Sequence, residues 1–486
     1  MVRFVFHLRF VVNVLCVMGA VVGAAMLVPA TYSILANDGM VLFFAAPAVA
    51  AIIAGSGLFL LTKQREPYVF MRDIFLIVVL GWIVVSIVGA VPFVFSGTVG
   101  YVDAFFNSMA GFTTTGAHTL SPEEFAPSLL LWRSLNQWIG GIGIVLLFVS
   151  VAPLVSGGGA TNLFSAEMAN PIPERMTPRI RDSAVGLVNI YVGLTVLVVV
   201  MLLASGLGLF DAVNHAFTTV ATGGYSTSSD SIAAFDSWAV ELSVIVGMIL
   251  AGTNFTLYFY ASQGWWYTVA RDRELRTYLG IIIAATILLT ASLYALDYQQ
   301  SLALSFREAL FQSVSLTTGT AFTTAEWGSW DPFSQTILLL LMALGSCAGS
   351  TSGGLKMVRV YLLTRQTLQE LVRMVHPAAM LPLTAGERLL SERVRISVLA
   401  FFLVYVAGMM VGTLLITLHQ VPMGEAFGSV FACMTITGSA LPPVGEPEFY
   451  ASLPASAKLI LTVFMLLGRL EIFTALVLIS PAFWRG

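Results

Sequence analysis

The sequence predicts an all-α membrane protein. Two amino-terminal transmembrane helices are followed by four units of helix, re-entrant half-helix and helix, gathered pseudo-fourfold around a central pore. Three observations predict it. Of the 486 residues, 57% are hydrophobic and only 10% charged, and the mean hydropathy is +0.88, far outside the range of a soluble domain. Apolar runs long enough to cross about 30 Å of hydrocarbon recur about ten times, near 11–30, 41–61, 74–95, 132–152, 184–208, 237–261, 278–297, 335–363, 396–418 and 456–480. Finally, one short amphiphilic pattern occurs four times along the chain.

The first run follows Arg3 and Arg9 as a signal peptide would, but it is long and merges into the second run without a cleavage site, so a retained helix is expected. Cys16, Cys347 and Cys433 lie at spacings that suit neither a disulfide framework nor a zinc site. With both termini on the cytoplasmic side, ten crossings leave Arg133, Arg307 and Lys458 outside and Arg469 inside the last span. Every other Lys and Arg then faces the cytoplasm, as the charge bias of membrane proteins requires. Asp103, Glu123, Glu124, Asp211, Asp230, Glu308, Glu326, Glu425 and Glu446 fall outside, where they either steer cations inward or serve as ordinary loop charges.

The repeat consists of DAFFNSMAGFTTTGA from 103, DAVNHAFTTVATGGYS from 211, EALFQSVSLTTGTAF from 308 and EAFGSVFACMTITGSA from 425. Each opens with an acid and an alanine. Twelve residues beyond Ala104, Ala212, Ala309 and Ala426 stand Gly116, Gly224, Ala321 and Gly438, so the register is kept. The units are drawn at 66–158, 159–264, 265–375 and 376–486, after two helices in 1–65.

A segment flanked by apolar helices and too short to span is read as a re-entrant half-helix with its loop. Irregular backbone at membrane depth is tolerated only where protein covers it or water lines it. A half-helix of twelve residues is about 18 Å long and aims its negative carboxyl end at the membrane centre. A cation gains from that. Beyond it, Thr113, Thr114, Thr115 and Gly116, then Ala221, Thr222, Gly223 and Gly224, Thr318, Gly319, Thr320 and Ala321, and Thr435, Ile436, Thr437 and Gly438 supply backbone carbonyls that can replace an ion's hydration shell. One such segment alone is more often a packing surface or an exposed loop; four in register point to a selectivity filter.

Two further features lie within apolar runs. Gly345, Ser346, Cys347, Ala348, Gly349, Ser350, Thr351, Ser352, Gly353 and Gly354 interrupt the third unit's second helix, with Lys356 after them. Close helix packing through small residues would explain them, as would a broken helix. Arg469 falls near the middle of the last run, where a charge is costly and faces a water-filled interior or pairs with Glu471 or the backbone of another helix.

At these residues the chain resembles the Trk/Ktr/HKT superfamily of potassium transporters, and its TrkH branch in particular. WRSLNQWIGGIGIVLL from 132, AEMANPIPERMTPRIRDSA from 166, LGSCAGSTSGGLKMVRV from 344 and LGRLEIF from 467 carry the resemblance, which runs through nearly the whole chain. It implies a four-unit pore in the inner membrane with potassium as the translocated metal ion, and a homodimer seated on a cytoplasmic, TrkA-like ring of nucleotide-binding subunits. It also implies a gating role for 345–354 with Lys356, and a place for Arg469 in the ion path. Nothing in the sequence matches a dinucleotide fingerprint or P-loop. No organic cofactor or nucleic acid is expected, and lipid is the surrounding partner.

The third segment reads TTGTAF where relatives commonly have TTTGF, and the fourth reads TITGSALPPVG in place of an Asn-rich stretch. Potassium is therefore implied by the resemblance, while a sodium or weakly selective pore fits the same plan. Either Gly223 or Gly224 suits the key position of the second segment. A secondary transporter of an organic solute would use the break at 345–354 as its midplane site. A membrane enzyme fits least, since His7, His118, His215, His376 and His419 are scattered. The basic stretch 364–395, with Arg365, Arg373, Arg388, Arg393 and Arg395, suits a regulator, anionic lipid or a simple helix flank, and the proline-bearing loop 161–183 has no assigned role.

Overall fold

Helices follow the hydropathy runs. The computed structural model describes residues 7–62, 71–155, 180–298, 301–377, 384–385, 388–389 and 392–484. The first run forms Leu8–Ala25 and Leu27–Ala36, which together make one span, and the second forms Val41–Thr62. Small residues bring these two together: a Cβ on Gly55 would lie 2.7 Å from the Cys16 carbonyl, and one on Gly23 2.8 Å from the Ala51 methyl. Close backbone approach of this kind is how helices gain packing energy where lipid removes the hydrophobic drive.

The four units then follow in order. The first comprises Met71–Phe95, the half-helix Tyr101–Phe112 and Pro127–Val155; the second, Ile180–Ala204, Leu209–Val220 and Trp238–Ala251. The third comprises Arg273–Ala295, Leu302–Thr318 and Pro332–Leu344, continued after a break by Met357–Val375; the fourth, Glu392–Thr417, Met423–Thr435 and Ala455–Arg469. Thr384–Ala385 pairs with Arg388–Leu389 in a two-residue antiparallel ladder between the last two units. The unit boundaries drawn at 65/66 and 158/159, most of the loop 161–183 and the match from 166 lie outside the described residues, as do the side chains of Arg3, Arg388 and Arg393.

Two runs expected to cross straight are bent. Trp238–Ala251 turns by 90° into Phe255–Ser262, and Ala455–Arg469 turns by 112° into the segment from Phe473. Gly252, Thr253 and Asn254 make the first turn, with the Asn254 side chain accepting the Thr256 amide at 2.9 Å as an N-cap. In the second, Glu471 (φ 54°) and Ile472 (φ 54°) are left-handed, a conformation a straight helix cannot hold. Arg469 therefore ends a helix instead of standing in the middle of one. Among the described residues, six helices are long and apolar enough to cross a membrane, or eight with each bent pair counted as one.

The half-helices are the buried centre of the molecule. The first two start at Gly100 and Gly208, each extended at the cap, and the Ser301 hydroxyl caps the third by accepting the Leu304 amide at 3.2 Å. The third begins at Leu302, six residues ahead of Glu308, so this acid is not in its first turn as Asp103, Asp211 and Glu425 are in theirs. The expectation of four like acid-headed starts therefore fails at the third unit. The first two acids are also engaged: Lys458 pairs with Asp103 at 2.5 Å, and the Thr227 hydroxyl donates to Asp211 at 2.6 Å.

Candidate functional site

Beyond each half-helix the chain makes the same excursion. The amides of Thr115, Gly223, Thr320 and Thr437 donate back to the carbonyls of Ala110, Thr218, Ser315 and Ala432, at 2.8, 2.8, 3.0 and 3.0 Å. Thr114, Thr222, Gly319 and Ile436 are left-handed, with φ of 56°, 54°, 72° and 61°. So, two residues further on, are Gly116 (82°), Gly224 (74°), Ala321 (59°) and Gly438 (67°). Ala321 thus occupies the glycine position, and Gly224, not Gly223, is the second unit's equivalent.

Left-handed backbone costs about 1–3 kcal/mol at a non-glycine residue and persists only where its surroundings hold it. Here the Thr side chains help. Thr113 bonds to Thr115 at 2.8 Å, Thr318 to Thr320 at 2.8 Å and Thr435 to Thr437 at 2.9 Å, hydroxyl to hydroxyl. The second unit has Ala221 and Gly223 at those positions, and the Gln137 side chain supplies what they lack. Its Nε2 donates to the Gly223 carbonyl at 2.7 Å, its Oε1 accepts the Tyr225 amide at 3.2 Å, and a Cβ on Gly223 would lie 2.3 Å from its Cδ.

The four segments meet one another. A Cβ built on Gly116 would lie 2.4 Å from the Gly223 carbonyl oxygen, one on Gly224 1.8 Å from that of Thr320, and one on Gly438 2.3 Å from that of Thr115. Each contacted residue immediately precedes the key position of another unit. The first unit abuts the second, the second the third, and the fourth the first, while a Cβ on Gly319 of the third would lie 3.6 Å from the Ile436 carbonyl oxygen of the fourth, so each segment meets its neighbours. At the remaining corner Ala321 already carries the methyl that the glycines avoid.

Beneath the ring lies the loop after Leu344. Gly345 (φ 69°), Gly349 (70°) and Gly354 (80°) allow its turns, and Lys356, itself at φ 69°, donates from Nζ to the Ser352 carbonyl. Thr351 donates to the Val220 carbonyl at 3.0 Å and meets the Thr222 hydroxyl at 3.3 Å; a Cβ on Gly353 would strike the Thr435 carbonyl at 2.5 Å. From below, the Ala348 amide donates to Glu274 at 2.7 Å and the Phe255 amide to the Gly349 carbonyl at 3.1 Å.

Arg469 fastens this loop to the first unit. Its Nη1 donates to the Thr351 carbonyl at 2.7 Å and to the Thr114 hydroxyl at 2.9 Å, and its Nη2 to the Gly140 carbonyl at 2.9 Å. It does not pair with Glu471, which binds Arg359 at 2.5 Å. All the residues singled out for the ring, the loop and Arg469 therefore lie in one assembly. Gln137, Tyr225, Asn254 and Glu274 also belong to this assembly and were not expected from the sequence. Their signal was polarity at membrane depth, as in WRSLNQW, where Arg133, Asn136 and Gln137 are all buried.

On its open side the ring faces a cavity of about 890 Å³ lined by residues of every unit. Glu123 braces its edge by accepting the Ser229 amide at 2.8 Å and hydroxyl at 2.9 Å. Burial raises the Glu123 pKa, but these bonds outweigh it and hold the carboxyl below its ordinary value.

Residues 42–485 match the family model for TrkH, described as a cation transport protein. The chain belongs to the TrkH family. It is 36% identical over 488 residues to the Trk system potassium uptake protein TrkH of Escherichia coli K12, covering 99% of this chain and 100% of that one. Identity to the Trk system potassium uptake protein TrkG of the same organism is 31%, with 99% of each chain covered. The crystal structure of the potassium transporter TrkH from Vibrio parahaemolyticus superposes with a TM-score of 0.90 at 34% identity, over 98% of this chain and all of that one. This TrkH-family chain is accordingly a multi-pass membrane cation transport protein.

Proposed function

We propose that this chain is a potassium-conducting pore whose selectivity filter is the ring of Thr113–Gly116, Ala221–Gly224, Thr318–Ala321 and Thr435–Gly438. The meeting of all four segments, through three tight glycine-to-carbonyl contacts and the approach of Gly319 to the Ile436 carbonyl, carries this proposal, because a ring of oxygens can take over from hydration water around an ion. The carboxyl ends of four half-helices add negative potential at the same place. A membrane potential of 100 mV supplies about 2.3 kcal/mol per charge, enough to accumulate potassium without ATP hydrolysis in this chain.

The loop 345–356 is the gate in this scheme, and Arg469 its latch, since the guanidinium holds loop and filter together. A TrkA-like nucleotide-binding ring on the cytoplasmic side and a dimeric assembly complete the proposal, with both termini cytoplasmic. The names of the relatives, which speak of a Trk system, support a further component. Ala321 favours a second form of the reading, in which the pore discriminates weakly between potassium and sodium, because a methyl now stands at one corner of the ring.

Rubidium and sodium fluxes into proteoliposomes test this. Gly116→Ser pushes a side chain onto the Gly223 carbonyl and is expected to cut the rubidium-to-sodium ratio at least about tenfold, the loss of about 1.4 kcal/mol of discrimination. Arg469→Ala is expected to raise flux severalfold at unchanged ratio. Selectivity indifferent to the Gly116 change would refute the filter.

A further inference from the structure

The cavity above the ring contains opposing charges at different depths. Exposed carboxylates of Asp230, Glu326, Glu446 and Glu448 line it from the second, third and fourth units. Arg133 lines the same cavity together with Gly116 and Gly224, yet it is 2% exposed and none of its three guanidinium nitrogens has a hydrogen-bond partner. Its Cζ lies 4.7 Å from the Phe125 ring centroid and 4.3 Å from that of Tyr225. Tyr225 directly follows Gly224, and its hydroxyl donates to the Ala117 carbonyl at 2.9 Å, so the charge is set behind the junction of the first two filter segments. Stacking between two rings orients a guanidinium, and Tyr225 and Glu123 only partly offset its charge.

An acidic vestibule alone makes a poor potassium inlet. A potential that enriches a monovalent ion by a given factor enriches a divalent ion by the square of that factor, so the carboxylates favour divalent ions. A fixed positive charge further in acts with the same exponent and the opposite sign.

We propose that Arg133 is a valence-selecting residue: its buried charge at the floor of the cavity rejects the divalent cations that the carboxylates above it collect. This inference rests on the filter assignment, since it places the ion path at Gly116 and Gly224. It makes Arg133 a specificity determinant acting through its field, without a bond to the ion.

The test is rubidium uptake by proteoliposomes of the full chain, inhibited by external barium, a divalent ion close in size to potassium that sieving does not exclude. In Arg133→Gln, uptake without barium is expected to stay within about threefold of the unsubstituted chain, while the half-inhibiting barium concentration falls about tenfold, near the square. Arg133→Lys keeps the charge and is expected to behave as the parent at neutral pH. It should shift toward the glutamine variant as pH is raised, below the ordinary lysine range of about 10.4, because burial disfavours an ammonium, while an arginine keeps its proton; this arm decides alone if the glutamine variant does not fold. Barium inhibition unchanged in Arg133→Gln, or unchanged with pH in Arg133→Lys, overturns the proposal while leaving the filter standing. An unsubstituted chain that carries no rubidium overturns the filter assignment and this proposal together.

Discussion

Ala321 and Gly319 have exchanged the roles that the other three units assign. The left-handed position two residues before the key site holds Thr114, Thr222 and Ile436 elsewhere, and the key site itself holds glycine. In the third unit the glycine stands at the earlier position and the alanine at the later one. A methyl at φ 59° costs about 1 kcal/mol against glycine, so Ala321→Gly is expected to raise the detergent melting temperature slightly. The same change should sharpen the rubidium-to-sodium flux ratio, because that corner then matches the other three. A ratio that falls on this substitution would show that the alanine contributes to discrimination. Ile436 is the more strained residue, being β-branched and left-handed, and a Cβ on Gly353 would lie 2.7 Å from its Cβ. Its strain is held by the loop 345–354.

The broken helices share one arrangement. At both bends a polar side chain of the largely buried turn finds a partner. Asn254 does so at the first. At the second, Glu471 binds Arg359, whose guanidinium also lies 3.9 Å above the Phe401 ring. Arg359 is 3% exposed by side chain and Glu471 17%, so the pair is largely desolvated and removing the carboxylate charge weakens the compensation of a buried guanidinium. Glu471→Gln is expected to cost about 2 kcal/mol of stability, read as a fall in melting temperature. A variant as stable as the parent would place that energy elsewhere in the bend. The bends were not visible in hydropathy, because LGRLEIF and LAGTNFTLYF remain apolar on average while single residues turn the chain. At 345–354 the concentration of glycines and hydroxyls left a broken helix and close helix packing both open, and the structure shows the break.

Across the whole molecule, loops on the cavity side connect helices distant in sequence. Asp38, between the first two spans, accepts the Ser128 amide at 3.0 Å and the Met40 amide at 3.1 Å, together with the Ser33 hydroxyl. It thereby ties the amino-terminal pair to the first unit, and Tyr32 stacks on Phe210 of the second at 5.2 Å. Burial raises the Asp38 pKa, but the hydrogen bonds prevail and hold it below 3.8. A carboxyl depressed on folding contributes stability that is present above its unfolded pKa and is lost as pH falls through the folded one. The parent is therefore expected to melt higher than Asp38→Asn at neutral pH, with the gap closing as pH drops below 3.8. A gap independent of pH would assign the effect to packing.

Composition and periodicity sufficed for what repeats: membrane residence, the four units, their register, and the segments facing one another. Each of these depends on local averages over many residues, which lipid and backbone hydrogen bonding constrain strongly. Folding in three dimensions decided what depends on single contacts between distant residues. Gln137 fills the space left by a missing threonine, Arg469 joins the loop at Thr351 to Thr114 of the first unit, Glu471 turns to Arg359, and Arg133 stands between two rings. No short stretch of chain encodes such contacts, because each partner gains its chemical meaning only from the burial that the other helices impose.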